Sequence, residues 1–267
     1  MKTTKAFADF NRIELFLFDM DGTLYLGDRL FPFTKDLLKR IKAAGKKYLF
    51  ITNNSSKSVR DYVEKLRRLG IAALADDFLT SAQATAWYLK WHHSGKMLYV
   101  YGTQSLKEEL TENGFSITED TDKAQCIVMG FDTELTFKKL WDVSKMLSQR
   151  EIPYIATNPD LVCPTEFGSV PDCGSVCEMI FNATGKRPFV VGKPQKLIIE
   201  LAIKKEYCTK AQTAVVGDRI YTDIKSGLNA GALSVLVMSG ETTAEILKNS
   251  KVLPDVVLKD AGEIRFS

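Results

Sequence analysis

Nowhere in its 267 residues does the chain have an apolar run approaching the ~18 residues of a membrane-spanning helix. Residues 1–12 carry lysines but no apolar stretch of the kind a signal peptide needs. Histidine is nearly missing: His92 and His93 are the only two, and they are adjacent. The five cysteines (Cys126, Cys163, Cys173, Cys177, Cys208) are odd in number and have no repeating spacing. A structural zinc site therefore lacks the ligand spacing it requires. Cys173 and Cys177, four apart, fit one face of a helix, and free thiols in a reducing cytoplasm are the expected state.

A large charge of one sign is also lacking. The formal net charge of +3 is too small to argue for nucleic acid or a membrane surface as partner. The basic clusters at 35–47 and 60–68 are interleaved with apolar residues at helical spacing and read as solvated helix faces. What remains is ordinary globular material, 45% apolar and 26% charged, at a length where one domain often splits into two. The expectation is a cytoplasmic protein with neither membrane nor nucleic acid as partner.

Strand and helix signals alternate from the start. Residues 13–18 form a short apolar run that suits a buried parallel strand. Residues 34–44 place Leu37, Leu38 and Ile41 at helical spacing, with Thr34 as candidate N-cap and Gly45 as stop. A strand over 48–51 runs into Thr52-Asn53-Asn54-Ser55, and an amphipathic helix over 58–69 closes at Gly70. Such strand-helix-strand-helix units assemble parallel sheets. Helical signals at 83–91, 105–112 and 136–147 then alternate with strand signals at 97–101, 126–129 and 154–156. Trp87, Tyr88 and Trp91 read as packing residues. A turn-rich loop over 157–174 precedes a helix at 175–182. Strands at 189–191, 213–216, 233–237 and 255–258 close the series, the last an edge strand. Pro194 suits the first turn of a helix carrying the 197–203 face, and helices are expected at 221–231 and 245–249. The fold class is α/β, doubly wound, with a mostly parallel Rossmann-like core.

Reactive residue types collect where these strands end. Asp19 and Asp21 follow the first strand, Thr52 the second, Lys193 a late strand and Asp218 the next one. In open doubly wound sheets, ligands bind beyond the carboxyl ends of the strands. Asp19, Asp21 and Asp218 together exceed the charge of Lys193, and a hard divalent cation such as Mg²⁺ resolves the excess. With that charge offset, a carboxylate can attack phosphorus. Thr52 and Asn53 can hold phosphoryl oxygens, and Lys193 can offset charge in the transition state.

The motifs Asp19-Met20-Asp21-Gly22-Thr23, Thr52, Gly192-Lys193-Pro194 and Gly217-Asp218-Arg219-Ile220-Tyr221-Thr222-Asp223 stand in order along almost the whole chain. In that order they resemble the four motifs of the haloacid dehalogenase-like phosphatases. About 140 residues separate Thr52 from Lys193, close to one small domain. That placement resembles the branch with a large inserted α/β cap, subclass IIA. Thr52-Asn53-Asn54-Ser55 and Thr157-Asn158-Pro159-Asp160 resemble its NagD-like, para-nitrophenylphosphatase-like members. The resemblance implies a catalytic core over 1–80 and 188–267 and a substrate-specificity cap over 81–187. It implies Asp19 as nucleophile and Asp21 as general acid and base. It implies a Mg²⁺ ion on the Asp19 side chain, the Asp21 carbonyl and Asp218, with Asp223 behind them orienting Asp218, the metal's waters or Lys193. Asn53, Asn54 and Asn158 are implied at the phosphate and substrate. Where the branch has small residues before Gly-Ser, this chain has Asp172-Cys173. Pointing into the site, Asp172 would disfavour polyanionic substrates and favour a hydroxyl or amine near the phosphate.

The function expected is Mg²⁺-dependent hydrolysis of small-metabolite phosphomonoesters, of nucleotide, sugar phosphate or phosphoglycolate type, through an aspartyl-phosphate. A homo-oligomer through the cap is compatible with it. Two alternatives stand beside it: a phosphotransferase or mutase with the same chemistry, and a phospho-acceptor signalling domain. The second leaves the insertion between Thr52 and Lys193 without a role.

Overall fold

Three apolar runs account for the middle of the main sheet. Leu15–Phe18 is buried along its whole length, as are Thr213–Gly217 and all but the first residue of Lys47–Thr52. Strands buried on both faces need helices on both sides, and a parallel sheet supplies that arrangement. In this computed structural model, which describes residues 9–165 and 167–266, a six-stranded sheet forms. Its order is Val256–Leu258, Leu233–Val237, Thr213–Gly217, Leu15–Phe18, Lys47–Thr52, Phe78–Thr80. The pairings from the first of these through to Lys47–Thr52 are all parallel. Helices Thr34–Ala43 and Leu197–Lys205 bury Leu37, Leu38 and Ile41, and Ile198, Ile199 and Leu201.

The chain divides into two compact units. One comprises the chain up to Thr52, Val63–Leu79 and everything from Lys193 onward; the other comprises Asn53–Tyr62 and Thr80–Gly192. The second unit has its own four-stranded sheet, ordered Phe189–Val190, Tyr154–Ala156, Cys126–Met129, Leu98–Tyr101, all parallel. Helices Phe137–Gln149 and Cys173–Thr184 share its core through Val143, Met146, Val176 and Ile180. The α/β class and the Rossmann-like parallel core stand as expected. Among the described residues, no helix is long and apolar enough to cross a membrane.

Several local expectations are corrected. Thr34 does not cap its helix: the cap position is Phe33, and the Thr34 hydroxyl instead donates to the Leu24 carbonyl oxygen at 2.6 Å. The turn-rich segment 157–174, of which residue 166 lies outside the described residues, contains an antiparallel ribbon of Val162–Thr165 and Gly168–Pro171. Both strands carry proline or glycine, which a ribbon with open edges tolerates. The following helix begins at Cys173, not Ser175, because the Asp172 side chain accepts from the Cys173 N–H and caps it. Pro194 precedes its helix, which starts at Leu197. The edge strand Phe78–Thr80 and the small hairpin Tyr25–Leu26 with Arg29–Leu30 have no counterpart in the sequence reading. The five cysteines are free; Cys173 and Cys177 do share a helix face, with Sγ atoms 4.0 Å apart. Tyr88 packs by stacking on Phe189, whereas Trp91 is exposed.

Candidate active site

The strand order reverses beside Leu15–Phe18. From it the chain moves first to Lys47–Thr52 on one side and, much later, returns to Thr213–Gly217 on the other. A crevice opens at the carboxyl ends of strands at such a switch point. Asp19 and Asp218 are the first residues past the two strands that flank it, and Thr52 is the last residue of the third. The strand before Lys193 belongs to the four-stranded sheet, so strand position does not place this lysine. Its ion pairs do.

Lys193 Nζ lies 2.6 Å from Asp19 Oδ1 and 2.6 Å from Asp223 Oδ1, and donates to the Ile51 carbonyl oxygen at 3.4 Å. The lysine side chain is 3% exposed and that of Asp223 1%, so both ion pairs are formed out of water. The Asp223 Oδ2 accepts from the Arg219 N–H at 3.1 Å. Asp218 Oδ1 accepts from the Thr23 hydroxyl at 3.3 Å, and its Oδ2 from the Glu241 N–H at 2.7 Å. Carboxylate oxygens of Asp19, Asp218 and Asp223 lie within 4.8 Å of one another. Gly22 makes that closeness possible. Its φ of +84° favours glycine, and a Cβ there would sit 2.5 Å from Asp218 Oδ2.

Asp19 and Asp21 do not share a face. The strand ends at Phe18, and the Met20 carbonyl oxygen accepts from the N–H groups of Thr23 and Leu24 at 3.2 and 2.8 Å. This tight turn buries Met20 and leaves Asp21 exposed at the rim, its Oδ1 accepting from the Gly27 N–H at 3.4 Å.

Burial dominates the electrostatics. It pushes Asp19 up to about 6, against the lowering effect of Lys193. Burial, then the charges of Asp19 and Asp223, push Asp218 up to about 7. Desolvation also raises Asp21, while Lys65 works in the opposite direction. For Lys193, burial opposes the ammonium, but Asp19 and Asp223 outweigh it and hold the group charged. A cluster of three carboxylates, with Asp19 and Asp218 raised by burial, offers hard oxygen donors that fit a small divalent cation.

The remaining expected residues belong to the second unit. Asn53 Nδ2 donates to Asp160 Oδ2 at 2.9 Å, and Asn158 Nδ2 donates to Asp160 Oδ2 and Asp172 Oδ1, each at 3.2 Å. Asn54 Oδ1 accepts from the N–H and hydroxyl of Ser56, the signature of a local turn. Asp172 is buried and engaged as a helix cap. Sequence reasoning missed Thr23, Arg219 and Glu241. The first two lay inside the quoted motifs; Glu241 touches Asp218 only through its backbone, which no residue type announces.

The family model of the haloacid dehalogenase-like hydrolases matches residues 16–116. A second, HAD-hydrolase-like, matches residues 190–264. An acid sugar phosphatase of Staphylococcus aureus is 34% identical over 248 residues, 93% of this chain and 95% of its own. Among solved structures, a 4-nitrophenylphosphatase from Thermotoga maritima aligns with a TM-score of 0.91 at 40% identity, covering 95% of this chain and 97% of that one. NagD from E. coli K-12 aligns with a TM-score of 0.86 at 30% identity, covering 95% and 98%.

Proposed function

Since the chain belongs to the haloacid dehalogenase-like hydrolases and is a phosphatase of that superfamily, we propose that it hydrolyses phosphomonoesters of small metabolites with Asp19 as nucleophile. The observation that carries this reading is the Lys193 ammonium held 2.6 Å from both Asp19 and Asp223, beside Asp218 at the switch point of the sheet. The bond to Lys193 engages Asp19 Oδ1 and leaves Oδ2 to attack.

In the first step Asp19 Oδ2 forms a bond to phosphorus and the ester P–O bond breaks. Asp21, raised towards its protonated form and placed at the open rim, gives its proton to the departing alkoxide. In the second step Asp21 takes a proton from water as the water oxygen bonds to phosphorus. The Asp19–phosphorus link breaks, and orthophosphate and the free carboxylate result. Lys193 and the Thr52 hydroxyl hold phosphoryl oxygens, fixed before the charge moves. Asp19, the Asp21 carbonyl and Asp218 would hold Mg²⁺, which when bound supplies charge neutralisation for the phosphoryl group. Asp223, whose oxygens accept from Lys193 and the Arg219 N–H, orients the lysine beside the cation.

Residues 81–187 serve as the specificity domain in this reading, with Asn53, Asn54 and Asn158 towards the substrate. The capping engagement of Asp172 gives it a structural task whatever substrate is taken. The relatives named an acid sugar phosphatase and a 4-nitrophenylphosphatase support a small phosphomonoester as substrate. The test is a panel of nucleotide, sugar phosphate and phosphoglycolate-type esters, with Mg²⁺, with EDTA and with an added alcohol acceptor. Orthophosphate release that requires Mg²⁺ is the expected result; equal release in EDTA, or transfer to the alcohol as the main reaction, overturns the proposal.

A further inference from the structure

Two charged side chains outside the proposed chemistry join the loops on either side of Asp218. Arg219 follows Asp218 directly, and its side chain is only 18% exposed. Its Nε lies 3.0 Å from Glu241 Oε2, a charge contact and not a hydrogen bond, and the Tyr221 hydroxyl donates to the same oxygen at 3.2 Å. The Glu241 backbone N–H donates in turn to Asp218 Oδ2 at 2.7 Å, and the Thr242 N–H to the Asp218 carbonyl oxygen at 3.3 Å. The circuit closes on itself: from Asp218 along the main chain to Arg219, across to Glu241, and back through an amide to the Asp218 carboxylate. The contact is close. A Cβ on Gly240 would stand 2.0 Å from Asp218 Oδ2, so the residue before Glu241 must lack a side chain for the loop to lie on the carboxylate.

We propose that Arg219 and Glu241 are positioning residues that clasp the loop 239–242 onto Asp218 and so hold its carboxylate ready for the divalent cation; this rests on the cation reading above. An ion pair whose acid is 39% exposed adds little to stability. Its effect is on freedom: without it, the amide that fixes Asp218 Oδ2 loses one anchor beside those of Tyr221, Thr242 and Ser239, and the cation must order more of the ligand itself. Loss of groups that orient a metal ligand weakens metal binding by about 10–100-fold.

Simple electrostatics predicts the opposite sign for one variant. The Arg219 charge acts on Asp19 and Asp218 and lowers both, so removing it makes the site more negative and attracts a cation more strongly. Only the clasp predicts weaker binding.

The test is calorimetric titration of Mg²⁺ into the metal-free full chain without substrate, for wild type, Arg219→Gln, Glu241→Gln and the double variant. Each single variant is expected to raise the Mg²⁺ Kd by about 10-fold, with no further rise in the double because both break one link. At saturating Mg²⁺, kcat and KM should return close to wild type. Unchanged or tighter binding in Arg219→Gln, or additive losses in the double variant, overturns the clasp. If circular dichroism shows Arg219→Gln unfolded, Glu241→Gln decides alone, and wild-type affinity in it overturns the proposal. A wild type that binds no Mg²⁺ overturns the cation reading instead, so the two failures are distinguishable.

Discussion

Replacing Lys193 by methionine removes one ammonium and keeps most of the volume, so the outcome reports on charge. In the native site Lys193 Nζ is 2.6 Å from a carboxylate oxygen on each side, with the Asp223 side chain 1% exposed. Removing one partner of a buried pair costs about 3–5 kcal/mol, because the other charge stays buried and uncompensated. The magnitude must depend on pH. Lys193 lowers Asp19, which sits at about 6 even so; without the lysine Asp19 moves further up. A carboxyl group whose folded pKa exceeds its unfolded value contributes stability at low pH that is lost as pH rises through the folded pKa. At about pH 5 a proton on Asp19 takes the place of the ammonium; at about pH 8 nothing does. In EDTA, the variant should melt roughly 10 °C below wild type at the higher pH and much closer to it at the lower. Turnover with Mg²⁺ should fall by about 10²–10³-fold, as for loss of one fixed transition-state donor. Thermal melts at the two pH values are the assay. An equal deficit at both, or none, would show that charge does not set the loss, since lost packing alone has no reason to follow the proton.

The wild-type metal-free protein should show a milder version of the same trend. Asp19 at about 6 and Asp218 at about 7 favour the folded state below their unfolded pKa near 3.8, a gain lost as pH rises to about 7. Melting in EDTA should therefore be lower at about pH 8 than at about pH 5, and Mg²⁺ should stabilise far more at the higher pH, where it does not compete with protons. Asp172→Ala should lose about 1 kcal/mol through the uncapped helix Cys173–Thr184, whereas Asp172→Asn should lose little; denaturant melts check this. A phosphomonoester profile that stays unchanged in Asp172→Ala would leave the residue with its capping role alone.

Legibility in the sequence followed burial. Leu15–Phe18, Cys126–Met129 and Leu233–Val237 are strands whose apolar runs have no competing reading, because both faces are covered. The ribbon Val162–Thr165 and Gly168–Pro171 is mostly exposed, so it shows no alternation, and Pro164 and Pro171 argue against a strand. Phe78–Thr80 is too short for any period to show. At the site, Asp19 and Asp218 are conspicuous as acids at strand exits, whereas Lys193 and Asp223 stand out only through the ordered motifs. The contribution of Glu241 could not, because it acts on Asp218 through an amide that any residue carries. Asp172 carries two readings for a related reason. Asp at a helix start and Asp in a substrate site look alike in sequence, and only the structure shows Asp172 accepting from the Cys173 N–H and from Asn158 Nδ2.

The whole reaction depends on a covalent link between Asp19 and phosphorus. Asp21→Asn with 4-nitrophenyl phosphate isolates it, since that leaving group needs no proton and hydrolysis of the intermediate does need a base. The expected result is a burst of one nitrophenolate per enzyme followed by slow turnover, with protein-bound phosphate that borohydride converts to homoserine at position 19. Asp19→Asn should abolish the burst and lower turnover by about 10⁴-fold or more. Release without a burst and without protein-bound phosphate, or an Asp19→Asn enzyme working near the wild-type rate, would contradict it.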